Sequence, residues 1–261
     1  MSDNFDFTIE ELSMNAWPSL KTVFFDGWIM RLSNGYTNRA NSINSIYPGK
    51  INLEEKIKYC EEIFSRYGII PNFKLVGTGS DEPCREQKAL NEKLITLNYG
   101  INDETSIQVC NELEPCTAKS DGIIVQNDFD NNWKESVIKY NKISEKHWLT
   151  FKEMLDKIAV EKIVVSKEVD GRVIGCGFGA VENEWVGVFD MVVKEELRGR
   201  GYGRQILQAI LARARELGAR KSYLQVVLSN SPALHLYRKI GYKEFYRYWY
   251  RKKGMGKGAV I

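Results

Sequence analysis

Apolar residues return every three or four positions over "LEEKIKYCEEIFSRYG" (53–68). Leu53, Ile57, Cys60, Ile63, Phe64 and Tyr67 fall on one helical face, and Gly68 stops it. The same spacing predicts helices over 86–100, around 133–160, and over 202–217, where Ile206, Leu207, Ile210, Leu211, Ala214 and Leu217 align ahead of Gly218. "PALHLYRKIGY" adds a further helix. Between them, "PNFKLVG", "TSIQVCNEL", "KIVVSKEV", "RVIGCGFGAV", "VGVFDMVV", "SYLQVVL" and "EFYRYWYRK" read as strands. Asn34-Gly35, between "DGWIMRLS" and "YTNRANSI", predicts one tight hairpin, and Asp170-Gly171 predicts another.

The order strand, helix, strand, helix ending in Gly or Tyr, strand occurs over 38–113 and again over 186–252. That repetition reads as a degenerate internal duplication, with a turn-rich boundary near 114–130 where Pro115, Asp121-Gly122 and "QNDFDNN" cluster. The expected division is a first module over 1–118, a second over 119–253, and a patternless tail over 254–261. The expected fold class is α+β, a mixed arrangement in which each module has a mostly antiparallel twisted sheet with helices on both faces.

Composition narrows the class. At 261 residues, 43% hydrophobic and 27% charged, the chain has the makeup of a soluble globular protein. No run approaches the length of a membrane span, and the acidic start "MSDNFDFTIEEL" lacks a signal-peptide pattern. Five cysteines without a CxxC pair, and only two histidines, fit a reducing cytoplasm and no metal site. Charge is uneven: residues 186–253 hold 15 Lys/Arg against 5 Asp/Glu, a local +10 that suits an anionic ligand or a solvated basic surface. Nucleic acid is the less favoured of the possible anions, and the oligomeric state has no signature.

Three arginines and three glycines crowd into 198–204, at a strand-to-helix junction. Gly199, Gly201 and Gly203 let the backbone approach a ligand closely, while the helix starting near Tyr202 aims its free N–H groups at the turn. With Arg198, Arg200 and Arg204 beside it, this is a cradle for a diphosphate. The spacing GxGxG is not the GxGxxG of a dinucleotide fold, and GxxxxGK[ST] is absent.

R-x-x-G-x-G at 198–203, then a helix, then "YLQVVLSN", then N-x-x-A-x-x-x-Y-x-x-x-G-Y at 230–242, resembles the GNAT superfamily of acetyl-CoA-dependent N-acyltransferases. "FDMVV" and "YRYWYRK" resemble the branch containing ribosomal-protein N-terminal acetyltransferases. "GWIMRLSNGYTNRANSIN" is similar to the first module of tandem-domain members.

The resemblance implies acetyl-CoA as co-substrate and a primary amine, a peptide N-terminus or a small amine, as acceptor. It implies that residues Gly199 to Arg204, with Arg198 close by, hold the diphosphate. Met191, Val192 and Val193 would offer backbone groups to the pantetheine arm, Asn230 would contact that arm, and Tyr237 would protonate the departing thiolate. Family positions for a basic Glu fall here on Gly187 and Gln225. Asp190 is the carboxylate left inside the apolar strand, with Glu182 and Glu184 just upstream. The missing Glu keeps open a rival reading, a non-catalytic acyl-CoA-binding or regulatory protein of the same fold. The first module lacks the Arg-Gly turn, its equivalent junction being "NSIYPGKINLEEK". It is expected not to bind acetyl-CoA in the same way, and to pack on the second module and shape the acceptor cleft.

Overall fold

A computed structural model of the chain describes residues 5–80, 82–115 and 121–254. They divide into two compact units that do not follow a single cut. The first takes in the residues up to Ile107, Val226–Asn230, and those from Glu244 onward; the second is Gln108–Gln225 with Ser231–Lys243. Beyond Gly254, the expected tail lies outside the described residues.

In the first unit, helix α1 (Thr8–Ala16) precedes strands β1 (Lys21–Phe25), β2 (Trp28–Leu32) and β3 (Ile43–Ser45). Helix α2 (Leu53–Arg66), strand β4 (Asn72–Gly79), the short β5 (Glu82–Pro83), helix α3 (Lys88–Thr96) and strand β6 (Tyr99–Cys110) follow. The tight hairpin forms at Asp26-Gly27, where Phe25 pairs with Trp28, and not at Asn34-Gly35. Both pairs have positive φ. Only Asp26-Gly27 has strands directly on either side, because the segment after Asn34-Gly35 stays irregular until Ile43. Helix α2 forms as its pattern predicts: Asn52 caps it by accepting from the Glu55 N–H at 3.0 Å, and Ile57, Cys60, Ile63 and Phe64 are buried. They join Met30, Ile43, Phe73, Leu75 and Trp249 in one core.

In the second unit, strand β7 (Ile123–Gln126) is followed by helices α4 (Asn131–Tyr140) and α5 (Trp148–Asp156). Strands β8 (Glu161–Val169), β9 (Arg172–Glu182) and β10 (Trp185–Val193), helix α6 (Tyr202–Glu216), strand β11 (Lys221–Val227) and helix α7 (Ser231–Ile240) complete it. Its strand order is β11-β10-β9-β8-β7, antiparallel except for the β10–β11 pair. The Asp170-Gly171 hairpin forms as expected. Helix α6 lies close on β9 because "GCGFG" puts glycines on the facing side. A Cβ at Gly175 would sit 2.9 Å from Ile206 Cδ1, and one at Gly179 would sit 2.7 Å from Ile210 Cγ2.

The last strand, β12 (Lys243–Lys253), belongs from Glu244 to the first unit, whose order is β1-β2-β3-β4-β12-β6 with β5 on β4. Its tyrosines 246, 248 and 250 are buried, and β12 is an interior strand pairing antiparallel with β4.

Candidate functional site

The parallel register of β10 and β11 runs from Trp185–Lys221 to Val188–Leu224 and stops. Immediately beyond, β10 bulges: its pairing with β9 shifts between Phe189 and Val192. Asp190 sits in that bulge, half-buried, with φ +48 in the left-handed region. Met191 sends its sulfur under Gly177, Val192 pairs with Cys176, and Val193 pairs with Gly175. These three residues therefore continue along β9 after their other neighbour has parted from them.

The chain then enters the Arg-Gly turn. Gly199 and Gly201 take φ of +76° and +85°, which side-chain-bearing residues avoid, and the space where their Cβ atoms would lie is open. Gly201 is the N-cap of α6, and no side chain caps that end. The first intrahelical bond comes at Gln205 N–H to Gly201 O, 3.1 Å. The leading N–H groups of α6, from Tyr202, Gly203 and Arg204, thus face outward with the positive end of the helix dipole. Arg198, Arg200 and Arg204 are exposed around them, and Arg198 Nε donates to Val193 O at 3.1 Å, tying the turn to the strand end. Such an end attracts a multiply charged anion.

Helix α7 reaches the same corner: a Cβ on Gly203 would lie 3.6 Å from Leu236 Cδ2 and 3.9 Å from Val193 Cγ2. The next residue, Tyr237, is 8% exposed, and burial pushes its phenol up to about 12. It therefore carries its proton throughout the neutral range. Asn230 is exposed, its N–H donating to Val227 O at 3.0 Å, and falls with the first unit.

At Gly187, one position that the resemblance assigns to a basic Glu, a side chain has no room. A Cβ on Gly187 would lie 2.5 Å from the Tyr223 hydroxyl and 2.6 Å from Phe189 Cε2, so those rings fill the space a longer side chain would need. Glu184 is committed to Lys221 at 2.7 Å. Tyr223 escaped the sequence reading because nothing in "SYLQVVL" marks which face its ring takes. Lys167 escaped it too: it is buried on β8 with Nζ 5.6 Å from the ring of Tyr202, at the start of α6.

Among the described residues no helix is long and apolar enough to cross a membrane, and no group of His, Cys, Asp and Glu could hold a metal ion.

Residues 126–242 match the model of the Acetyltransferase (GNAT) family. The chain is 27% identical over 259 residues to the uncharacterized N-acetyltransferase YobR of Bacillus subtilis (strain 168), covering 94% of this chain and 97% of that one. It is 36% identical over 90 residues to an N-alpha-acetyltransferase of Sulfurisphaera tokodaii, covering 30% of this chain and 54% of that protein. In fold it is similar to a GCN5-related N-acetyltransferase from Kribbella flavida, with TM-score 0.64, 13% identity and 95% of each chain covered.

Proposed function

We propose that this chain, an acyltransferase whose residues 126–242 carry the GNAT acetyltransferase pattern, moves an acetyl group from acetyl-CoA to a primary amine within a ternary complex. One observation carries the reading: an uncapped helix start, two left-handed glycines facing open space and three exposed arginines adjoin a strand released from its parallel neighbour. Main-chain N–H groups from Gly199 to Arg204 hold the diphosphate, and Arg198, Arg200 and Arg204 balance its charge. Met191, Val192 and Val193 guide the pantetheine arm, with Asn230 contacting it after β11. A main-chain N–H on that strand stabilises the oxyanion as the amine adds to the thioester carbonyl. The tetrahedral intermediate then collapses: the C–S bond breaks, the thiolate takes the Tyr237 proton, and Asp190 accepts the proton lost by nitrogen, directly or through water.

The acceptor is a peptide N-terminus or a small amine. With Gly187 closed over by Tyr223, an α-amine is favoured. At pH 7 roughly a tenth of an α-amine with pKa near ~8 is free base, against about one part in 2,500 of a lysine. The duplication supports a tandem organisation, since β1-β2-β3-α2-β4 and β8-β9-β10-α6-β11 share one order of three antiparallel strands, a helix and a parallel strand.

The test is thiol release from acetyl-CoA with a panel of peptide and small amines. Turnover is expected with at least one acceptor, and Tyr237→Phe should lower kcat by about 10²-fold while leaving acetyl-CoA binding in place. Tight acetyl-CoA binding with no turnover on any amine would overturn the transfer step.

A further inference from the structure

The first unit contains the counterpart of the cofactor corner, and its own side chains fill it. Strands β3 and β4 pair in parallel at Ile43–Phe73 and Asn44–Lys74, as β10 and β11 do, and the chain passes from β3 through 46–52 into α2. The loop N–H groups there have an anion already. Lys50 N–H donates to Asp26 Oδ1 at 2.8 Å, and Ile51 N–H donates to Asp26 Oδ2 at 2.9 Å. Lys56 Nζ lies 3.1 Å from the same carboxylate and donates to the Asp26 carbonyl at 2.5 Å. These bonds, the Lys50 N–H first, hold the Asp26 carboxyl below its ordinary range. Asn52 closes the helix start itself.

The contrast between glycines is direct. A Cβ on Gly49 would meet Asp26 Oδ2 at 2.1 Å and Lys56 Nζ at 2.5 Å, whereas one on Gly199 or Gly201 would meet nothing within 4 Å. The slot between the strands is also occupied. Gln87, 1% exposed, crosses from β4 to β3: its Oε1 accepts from Val76 N–H at 2.8 Å, and its Nε2 donates to Ser45 O at 3.2 Å and Ser45 Oγ at 2.9 Å. A side-chain amide bonding both strand backbones takes the place that an extended, amide-bearing arm would need.

We propose that the first unit is self-liganded. Asp26 stands in for the diphosphate and Gln87 for the pantetheine arm, so the unit excludes acyl-CoA. Each chain then holds one acyl-CoA, in the second unit; that last clause rests on the function proposed above. Asp26 can do this because it shares the hairpin turn with Gly27: its φ of +44 points the short carboxylate back at the loop, a conformation Asp tolerates better than most residues.

Three measurements on the full chain judge it. Calorimetry with acetyl-CoA should return one site per chain, and two sites would overturn the proposal. No site at all would instead sink the function of the second unit and leave the exclusion standing. Independently of that function, the amide resonances of Lys50 and Ile51 should not move when inorganic pyrophosphate is added. Movement would show the cradle open and overturn the proposal. In Asp26→Gly, which suits the positive φ, both amides should exchange with solvent about tenfold faster or more, matching loss of a charged acceptor. Unchanged exchange would show that the carboxylate is not their occupant.

Discussion

Tyr237 illustrates how much one residue's setting decides. A tyrosine free in water would begin losing its proton near pH 10, but burial holds this one to about 12. In the proposed transfer it donates a proton and so must be in its neutral form, and a raised pKa keeps it neutral. Activity is therefore expected to rise with pH as the amine acceptor deprotonates, and to show no falling limb below pH ~10. A kcat/KM profile that declines between pH 8 and 9.5, on a protein still folded there, would contradict the assignment. The motif placed Tyr237 on a helix from sequence; its burial, and hence its proton, follows from packing. At Gly187 the lack of an acid was readable, yet the rings packed over that position were not. The ring that excludes a side chain comes from Tyr223, 36 residues away in the chain.

Among elements, helix α1 shows a structural use of charge. Glu10, 1% exposed, accepts from Lys74 Nζ of β4 at 2.5 Å and from the Tyr246 hydroxyl of β12 at 2.8 Å. Lys74 Nζ also lies 3.8 Å from the Tyr248 ring centre, and burial pulls its pKa down against the opposing pull of Glu10. One carboxylate thus fastens a helix to two strands. Glu10→Ala would leave a buried ammonium uncompensated, at a cost of about 3–5 kcal/mol. Thermal unfolding of the first unit should shift down on the order of 10 °C. Glu10→Gln, whose amide oxygen can still accept from Lys74 Nζ while its NH2 donates to the Tyr246 hydroxyl oxygen, should recover part of the loss. A shift under about 1 °C in the alanine variant would show the pair to be idle. Helix periodicity made α2 and α6 legible because each has one apolar stripe. The Asn34-Gly35 turn misled because two turn pairs lie eight residues apart, and only pairing with β2 selects Asp26-Gly27.

Across the whole molecule, chain order and compact unit part company at the C-terminus. Residues 244–253 follow the second unit's last helix directly, yet β12 pairs with β4 from Arg247–Gly77 to Lys252–Asn72, and Arg251 Nε donates to Asn91 Oδ1 at 2.9 Å. Ending the chain at Lys243 should strip β4 of that neighbour. Amide exchange over 72–77 should then accelerate toward unfolded rates, while α6 in the second unit keeps protection. Retained protection over 72–77 would refute the dependence.

By itself the sequence determined the helices with a single apolar face, the strands between them, the Asp170-Gly171 hairpin and the Arg-Gly turn. All of these rest on local periodicity and on the backbone freedom of glycine. Tertiary structure alone decided which loop stays open for an anion and which is closed by Asp26, why Gly187 carries no side chain, and which sheet receives the last strand. Those outcomes depend on pairing and burial between residues far apart in the chain, and residue order does not encode distance in space.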